Sequence, residues 1–170
     1  MDLKKWVRDI PDFPKKGIIF KDITPLLNNA KAFRSTIKQM ADALNKVDFD
    51  VIAGVESRGF IFAAALAYKC KKRFVPIRKK NKLPHEVHSM EYDLEYGKDI
   101  LEIHKDALTK KDKVVVVDDV LATGGTIHAI EKLLQLTNAQ TKAIVFLMEL
   151  DFLKGRSKLS CKKIVSLIHY

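Results

Sequence analysis

Two adjacent carboxylates followed by a run of small residues carry the clearest chemistry in this sequence. Asp118 and Asp119 are followed, after Val120 and Leu121, by Ala122, Thr123, Gly124, Gly125 and Thr126. An ionised aspartate only accepts hydrogen bonds and a sugar diol offers two donors, so paired acids suit a ribose. Paired glycines let the main chain come close to an anion, and the threonine hydroxyls add donors. Amides at a helix start lack intrahelical partners and lie at the positive end of the helix dipole, so such a turn attracts phosphate. A plain capped turn accounts for the glycines and threonines, but not for the acids before them. The P-loop pattern is absent because Gly125 is followed by Thr126 and Ile127. The adjacent glycines likewise exclude GxGxxG.

The elements that must position these groups follow from hydrophobic pattern. Val114 to Val117 form a continuous β-branched run, which predicts a strand buried on both faces of a parallel sheet. After the turn, Ile127, Ile130, Leu133 and Leu134 recur at helical spacing, so a helix begins at about Gly125. A second junction has the same form: the apolar strand Asp50 to Val55 ends in Glu56-Ser57-Arg58-Gly59-Phe60. A third strand, Arg73 to Arg78, leads into the cations Arg78, Lys79, Lys80 and Lys82, either a solvated charge run or a site for a highly charged anion. In doubly wound sheets ligands bind at the carboxyl ends of strands.

From Ser89 to Tyr96 the pattern is strict alternation, then Gly97-Lys98-Asp99 turns the chain and Ile100 to His104 returns, predicting a β-hairpin. Toward the N-terminus a short helix is expected over Leu3 to Arg8. The breaker-rich FPKKGIIFKDITPLL reads as an ordered arm, neither clean helix nor clean strand. Phe33, Ile37, Met40, Ala41 and Leu44 mark a core-facing helix, Thr141 to Leu150 a further strand and Ile164 to Ile168 an edge strand. The sum is an α/β fold: a doubly wound parallel sheet flanked by helices, with an N-terminal arm and a flexible β-hairpin flap over its ligand edge.

With 170 residues and 47% hydrophobic content the chain suits one well-buried domain. No apolar run approaches the ~20 residues of a membrane helix. MDLKKWVRDIPDF lacks the apolar centre of a secretory signal, so a cytoplasmic location is expected. Cys70 and Cys161 match no metal spacing and are expected as reduced, structural thiols. The net charge of +10 fits a polyanionic small substrate, a nucleic acid or a lysine-rich composition. Lysines are spread throughout without the interleaved aromatics of a nucleic-acid groove, and charge alone decides nothing; no nucleic-acid or membrane partner is expected.

The stretch VVVVDDVLATGGT closely resembles the phosphoribosyl-diphosphate signature of type I phosphoribosyltransferases. Phe13, Pro14, Gly17, Phe20, Asp22, Ile23 and Pro25 resemble the hood of the adenine phosphoribosyltransferases within that family, and SMEYDLEYGKDILEIHKDAL resembles their catalytic loop. The resemblance runs from about Phe13 to Tyr170. It implies one domain, 1–170, with a hood arm over 1–34, a core over 35–170 and a flap over about 79–104. It also implies transfer of a phosphoribosyl group from phosphoribosyl diphosphate to adenine, giving AMP and pyrophosphate, with Mg2+ held by the substrate and no direct protein ligand.

Residue by residue, the resemblance puts ribose on Asp118 and Asp119, and the 5′-phosphate on Ala122, Thr123, Gly124, Gly125 and Thr126. Pyrophosphate goes to Ser57, Arg58, Arg78, Lys79, Lys82 and Tyr96, and adenine to Ile19, Phe20, Lys21 and Val120. Glu95 handles the proton. A cis peptide is expected at Glu56–Ser57, and a homodimer is expected. Other purines, such as xanthine or hypoxanthine, and a non-catalytic phosphoribosyl-diphosphate-binding regulator are the alternative readings.

Overall fold

A computed structural model, described for residues 1–93 and 97–170, contains nine strands and four α-helices among those residues. They are β1 (Arg8–Pro11), β2 (Ile19–Asp22), α1 (Thr24–Leu27), α2 (Ala30–Ala43), β3 (Val51–Val55), α3 (Gly59–Cys70), β4 (Arg73–Lys79), β5 (Val87–Asp93), β6 (Lys98–His104), β7 (Lys113–Leu121), α4 (Gly125–Thr137), β8 (Gln140–Glu149) and β9 (Ile164–His169). The main sheet has the order β5-β6-β4-β3-β7-β8-β9, and its last five strands are parallel. Among the described residues no helix is long and apolar enough to cross a membrane.

The valine run sits where its composition requires, at the centre. Val114 to Val117 are fully buried and alternate between two cores. Val115 and Val117 meet Ile37 and Met40 of α2 and Phe62 and Leu66 of α3. Val114 and Val116 meet Ile127, Ile130 and Leu133 of α4 on the opposite face. At roughly 1.5–3 kcal/mol per fully buried aliphatic side chain, both the register of β7 and the position of the acids at its end are firmly fixed.

Helices α3 and α4 lie on opposite faces, while β3 and β7 are neighbours that leave toward opposite edges: β3 through α3 to β4, β7 through α4 to β8. The chain therefore parts at the carboxyl ends of β3 and β7, and the two loaded junctions read from the sequence face one crevice.

Two regions differ from the sequence reading. The helix expected over Leu3 to Arg8 is only a 3-10 turn, Lys4–Trp6, followed by β1, which pairs antiparallel with β2. Opposed charges settle the pairing: Arg8 meets Asp22 at 2.7 Å and Lys21 meets Asp9 at 2.7 Å. Asp12, with φ +56°, accepts the Gly17 amide at 2.6 Å across the connecting loop, which holds a cis Phe13–Pro14 peptide. The second difference is the hairpin, whose stem belongs to the main sheet. Its strand β6 pairs antiparallel with β4 through Arg78 opposite Glu102 and Lys79 opposite Leu101. Leu101 and Ile103 are buried, and Met90 and Tyr92 of β5 pack on the α4 core.

Candidate active site

Helix α4 starts at Gly125 after Gly124, which has φ +82° and supplies no side-chain cap. The first amides of the helix therefore keep their donors for another acceptor. A cavity of about 130 Å3 lies there, lined by Asp118, Val120 and the residues from Leu121 to Ile127. All five residues expected to hold the phosphate are among them. Gly124 is required twice, by its left-handed backbone and because a Cβ there would stand 2.4 Å from the Gly155 carbonyl oxygen.

Asp118 stands at the wall of this cavity, and Asp119 lies beside it, turned toward Arg58. Asp118 Oδ1 accepts the Asp119 amide at 2.8 Å. Asp119 is buried, 4% exposed, and its Oδ2 lies 2.7 Å from Arg58 Nη2. Burial raises both carboxyl pKa values. For Asp118 the neighbouring Asp119 charge raises it further, whereas for Asp119 the Arg58 guanidinium opposes the rise. Gly59, at the start of α3, packs directly on this pair: a Cβ would lie 2.7 Å from Asp118 Oδ1. The Arg58 guanidinium also lies 5.0 Å from the Phe20 ring centroid, and Phe13 meets Phe20 edge-on at 5.2 Å. The N-terminal arm thus covers the crevice, as its sequence suggested.

Sequence reasoning missed Glu56 as the organiser of the cation cluster. Glu56 takes Arg78 Nε and Nη2, each at 3.3 Å, and the Lys79 amide at 2.9 Å. Arg78 Nη1 donates to the Lys82 carbonyl at 3.1 Å, and Lys79 Nζ pairs with Asp99 at 3.3 Å. Burial pulls the Glu56 carboxyl up, but the Lys79 amide and Arg78 outweigh it and hold it below the usual range. The side chains of Lys80 and Lys82 are exposed, as is Ser57, which follows the expected cis peptide at Glu56–Ser57.

The residues expected around the base do not share one cavity. Strand alternation turns Ile19 and Lys21 away from Phe20. They line a separate space of about 330 Å3 with Gly17, Ile18, Leu150, Phe152, Leu153 and Tyr170. Lys21 Nζ sits there 3.8 Å from the Tyr170 ring centroid. Val120 lines the phosphate-loop cavity instead. The Leu150 amide, donating to the Leu121 carbonyl at 2.9 Å, joins the two spaces. The sequence marks Leu150 only as the end of a strand, and no periodic signal marks Tyr170. Glu95 and Tyr96 lie outside the described residues.

For a divalent ion brought in on a phosphorylated sugar, Asp118 is the hard oxygen donor that lines the cavity, while Asp119 Oδ2 is paired with Arg58. Another trio of ligating groups, Glu149, Asp151 and His169, lies at the ends of β8 and β9, where Arg156 and Ser166 already hold Glu149.

Comparison with known proteins gives the family of this fold. Residues 21–166 match the Phosphoribosyl transferase domain family. The chain is 54% identical over 170 residues to an adenine phosphoribosyltransferase of Petrotoga mobilis, covering 100% of this chain and 98% of that one. The crystal structure of an adenine phosphoribosyltransferase from Thermoanaerobacter pseudethanolicus superposes with a TM-score of 0.96 at 55% identity, covering 99% and 98% of the two chains. The Saccharomyces cerevisiae adenine phosphoribosyltransferase, crystallised with adenine and an imino-altritol bisphosphate, superposes with a TM-score of 0.92 at 40% identity, covering 98% and 96%.

Proposed function

This chain belongs to the phosphoribosyltransferase family, and from that premise we propose how its crevice carries out the reaction. The protein is a pentosyltransferase that moves the 5-phosphoribosyl group of phosphoribosyl diphosphate onto adenine, giving AMP and pyrophosphate. The observation that carries the site assignment is the phosphate-loop cavity, with uncapped helix amides on one side and Asp118, whose carboxylate holds the Asp119 amide, on the other.

Asp118 and Asp119 accept from the two ribose hydroxyls, and the ionised forms are favoured once those donors replace water. The amides and hydroxyls of residues 122–126 take the 5′-phosphate. With Ser57 and Tyr96 as further assigned contacts, the diphosphate is bound by Arg58, Arg78, Lys79 and Lys82. As N9 of adenine bonds to C1′, the bond from C1′ to the diphosphate oxygen breaks and pyrophosphate leaves with the electron pair. These cations offset the charge that develops on it. Mg2+ carried in by the substrate, with no direct protein ligand, would supply further neutralisation of the leaving group. Glu95 takes the adenine N7 proton, and the hairpin keeps water from the activated sugar.

Phe20 and Val120 take the two faces of the base, and Ile19 and Lys21 serve it through their backbone, since their side chains turn away. The protein works in the cytoplasm as a homodimer. Helix α3 carries no charge from Gly59 to Tyr68, and its outer face exposes Ile61, Ala64 and a 90% exposed Tyr68, an apolar face suited to a second copy.

The experiment is a parallel assay of adenine, hypoxanthine, guanine and xanthine with phosphoribosyl diphosphate and Mg2+. AMP formation with adenine alone is expected. Preference for a 6-oxopurine, or no transfer to any base, would overturn the assignment.

A further inference from the structure

The turn that follows β8 presses against the phosphate loop at a contact between two glycines. A Cβ on Gly155 would lie 2.1 Å from the Ala122 carbonyl oxygen and 2.9 Å from the Gly124 amide nitrogen. Gly155 is buried and its φ lies outside the left-handed region, so space rather than backbone conformation demands a glycine.

The turn is clamped from both ends. Arg156 Nε donates to Glu149 Oε1 at 3.0 Å and Nη2 pairs with Glu149 Oε2, while Nη1 reaches the Ile164 carbonyl at 3.0 Å. Ser166 Oγ donates to the same Glu149 carboxylate at 2.6 Å. Glu149 stands opposite Leu121, the last residue of β7 before the loop. Past the turn, the Ser160 and Cys161 amides donate to Glu131 of α4, at 2.9 and 2.7 Å. Residues 150–161 are therefore fixed to both elements between which the phosphate loop is slung.

We propose that this turn is the template of the 5′-phosphate subsite, with Gly155 and Arg156 as positioning residues that set where the amides of residues 122–126 point. The inference rests on the phosphoribosyl reading above. Neither residue reaches the phosphate itself; each acts through the loop. A Cβ at Gly155 forces a shift on the order of 1 Å, and misplacement of that size at a positioned site costs about a hundredfold at most. The diphosphate end, held by the β3 and β4 junctions, is left in place.

The test is calorimetric titration of the full chain with ribose 5-phosphate and, separately, with inorganic pyrophosphate. Gly155→Ala should weaken ribose 5-phosphate by about tenfold or more while pyrophosphate changes by less than about twofold. Arg156→Lys, which keeps the charge but not the fork and adds no bulk at the glycine, should shift the same ratio in the same direction by a smaller factor. It decides the matter if Gly155→Ala does not fold. Ser157→Ala, on the exposed side of the turn, should change neither affinity. Equal weakening of both ligands, or an unchanged ribose 5-phosphate affinity in Gly155→Ala and Arg156→Lys, would overturn the template role. A wild-type chain that binds no ribose 5-phosphate would instead overturn the reading of the loop itself.

Discussion

Arg58→Ala should destabilise the protein in a way that depends on pH. Asp119 is 4% exposed, and its burial is offset chiefly by the guanidinium 2.7 Å away. Removing the guanidinium leaves a buried carboxylate that must stay charged without a partner or bind a proton. Breaking a fully buried pair costs roughly 3–5 kcal/mol. The Arg58 side chain is 34% exposed, so water screens the pair and about 2 kcal/mol is the reasonable figure. In a chain of this size that corresponds to a fall in Tm of about 4–8 °C. The sign follows from linkage. With its folded pKa above the unfolded value, Asp119 binds its proton more readily in the folded state, so the penalty is absent below the unfolded pKa and grows as pH rises toward the folded one. Scanning calorimetry at pH 5 and pH 8 should therefore show the larger deficit at pH 8, and Asp119→Asn in the Arg58→Ala background should restore most of it. The same deficit at both pH values, unrelieved by Asp119→Asn, would refute the electrostatic argument.

Glu95→Ala should lower kcat by about 10²–10⁴ while the phosphoribosyl-diphosphate Kd stays within about threefold; rapid-quench and equilibrium titration separate the two, and an unchanged kcat removes Glu95 from the mechanism. Asp22 is held at a pKa of about 2 by the Thr24 hydroxyl and by Arg8. The stabilisation it gives the N-terminal arm is present above the unfolded pKa and is lost as pH falls from about 4 through 2. Fluorescence of the single tryptophan, Trp6, should report that transition, and Asp22→Asn should abolish it. Tyr68→Asp should convert a dimer to a monomer in sedimentation velocity, because it places a charge in the apolar face of α3; a dimer that persists would place the interface elsewhere.

The centre of the fold was legible because its signals are local and strong. Four valines, two acids and a small-residue turn occupy adjacent positions, and burial on both faces of β7 follows from their composition. The β1–β2 pair was not legible, because four-residue strands give no period and their register rests on ion pairs between residues 12 and 14 positions apart. The cation cluster was visible as composition, but not its restraint by Glu56, 22 positions before Arg78. The base-facing residues were read as a set, and strand alternation divided them. Gly155 gave no sign of its contact with Ala122 and Gly124, since nothing in a sequence shows two backbones meeting.

The most direct measurement is a crystal structure of this protein with AMP. The phosphate is expected within hydrogen-bond distance of the amides of residues 123–126, the ribose hydroxyls on Asp118 and Asp119, and the base between Phe20 and Val120. A nucleotide whose phosphate lies on the Arg78 cluster, or whose ribose leaves both acids untouched, would contradict the assignment.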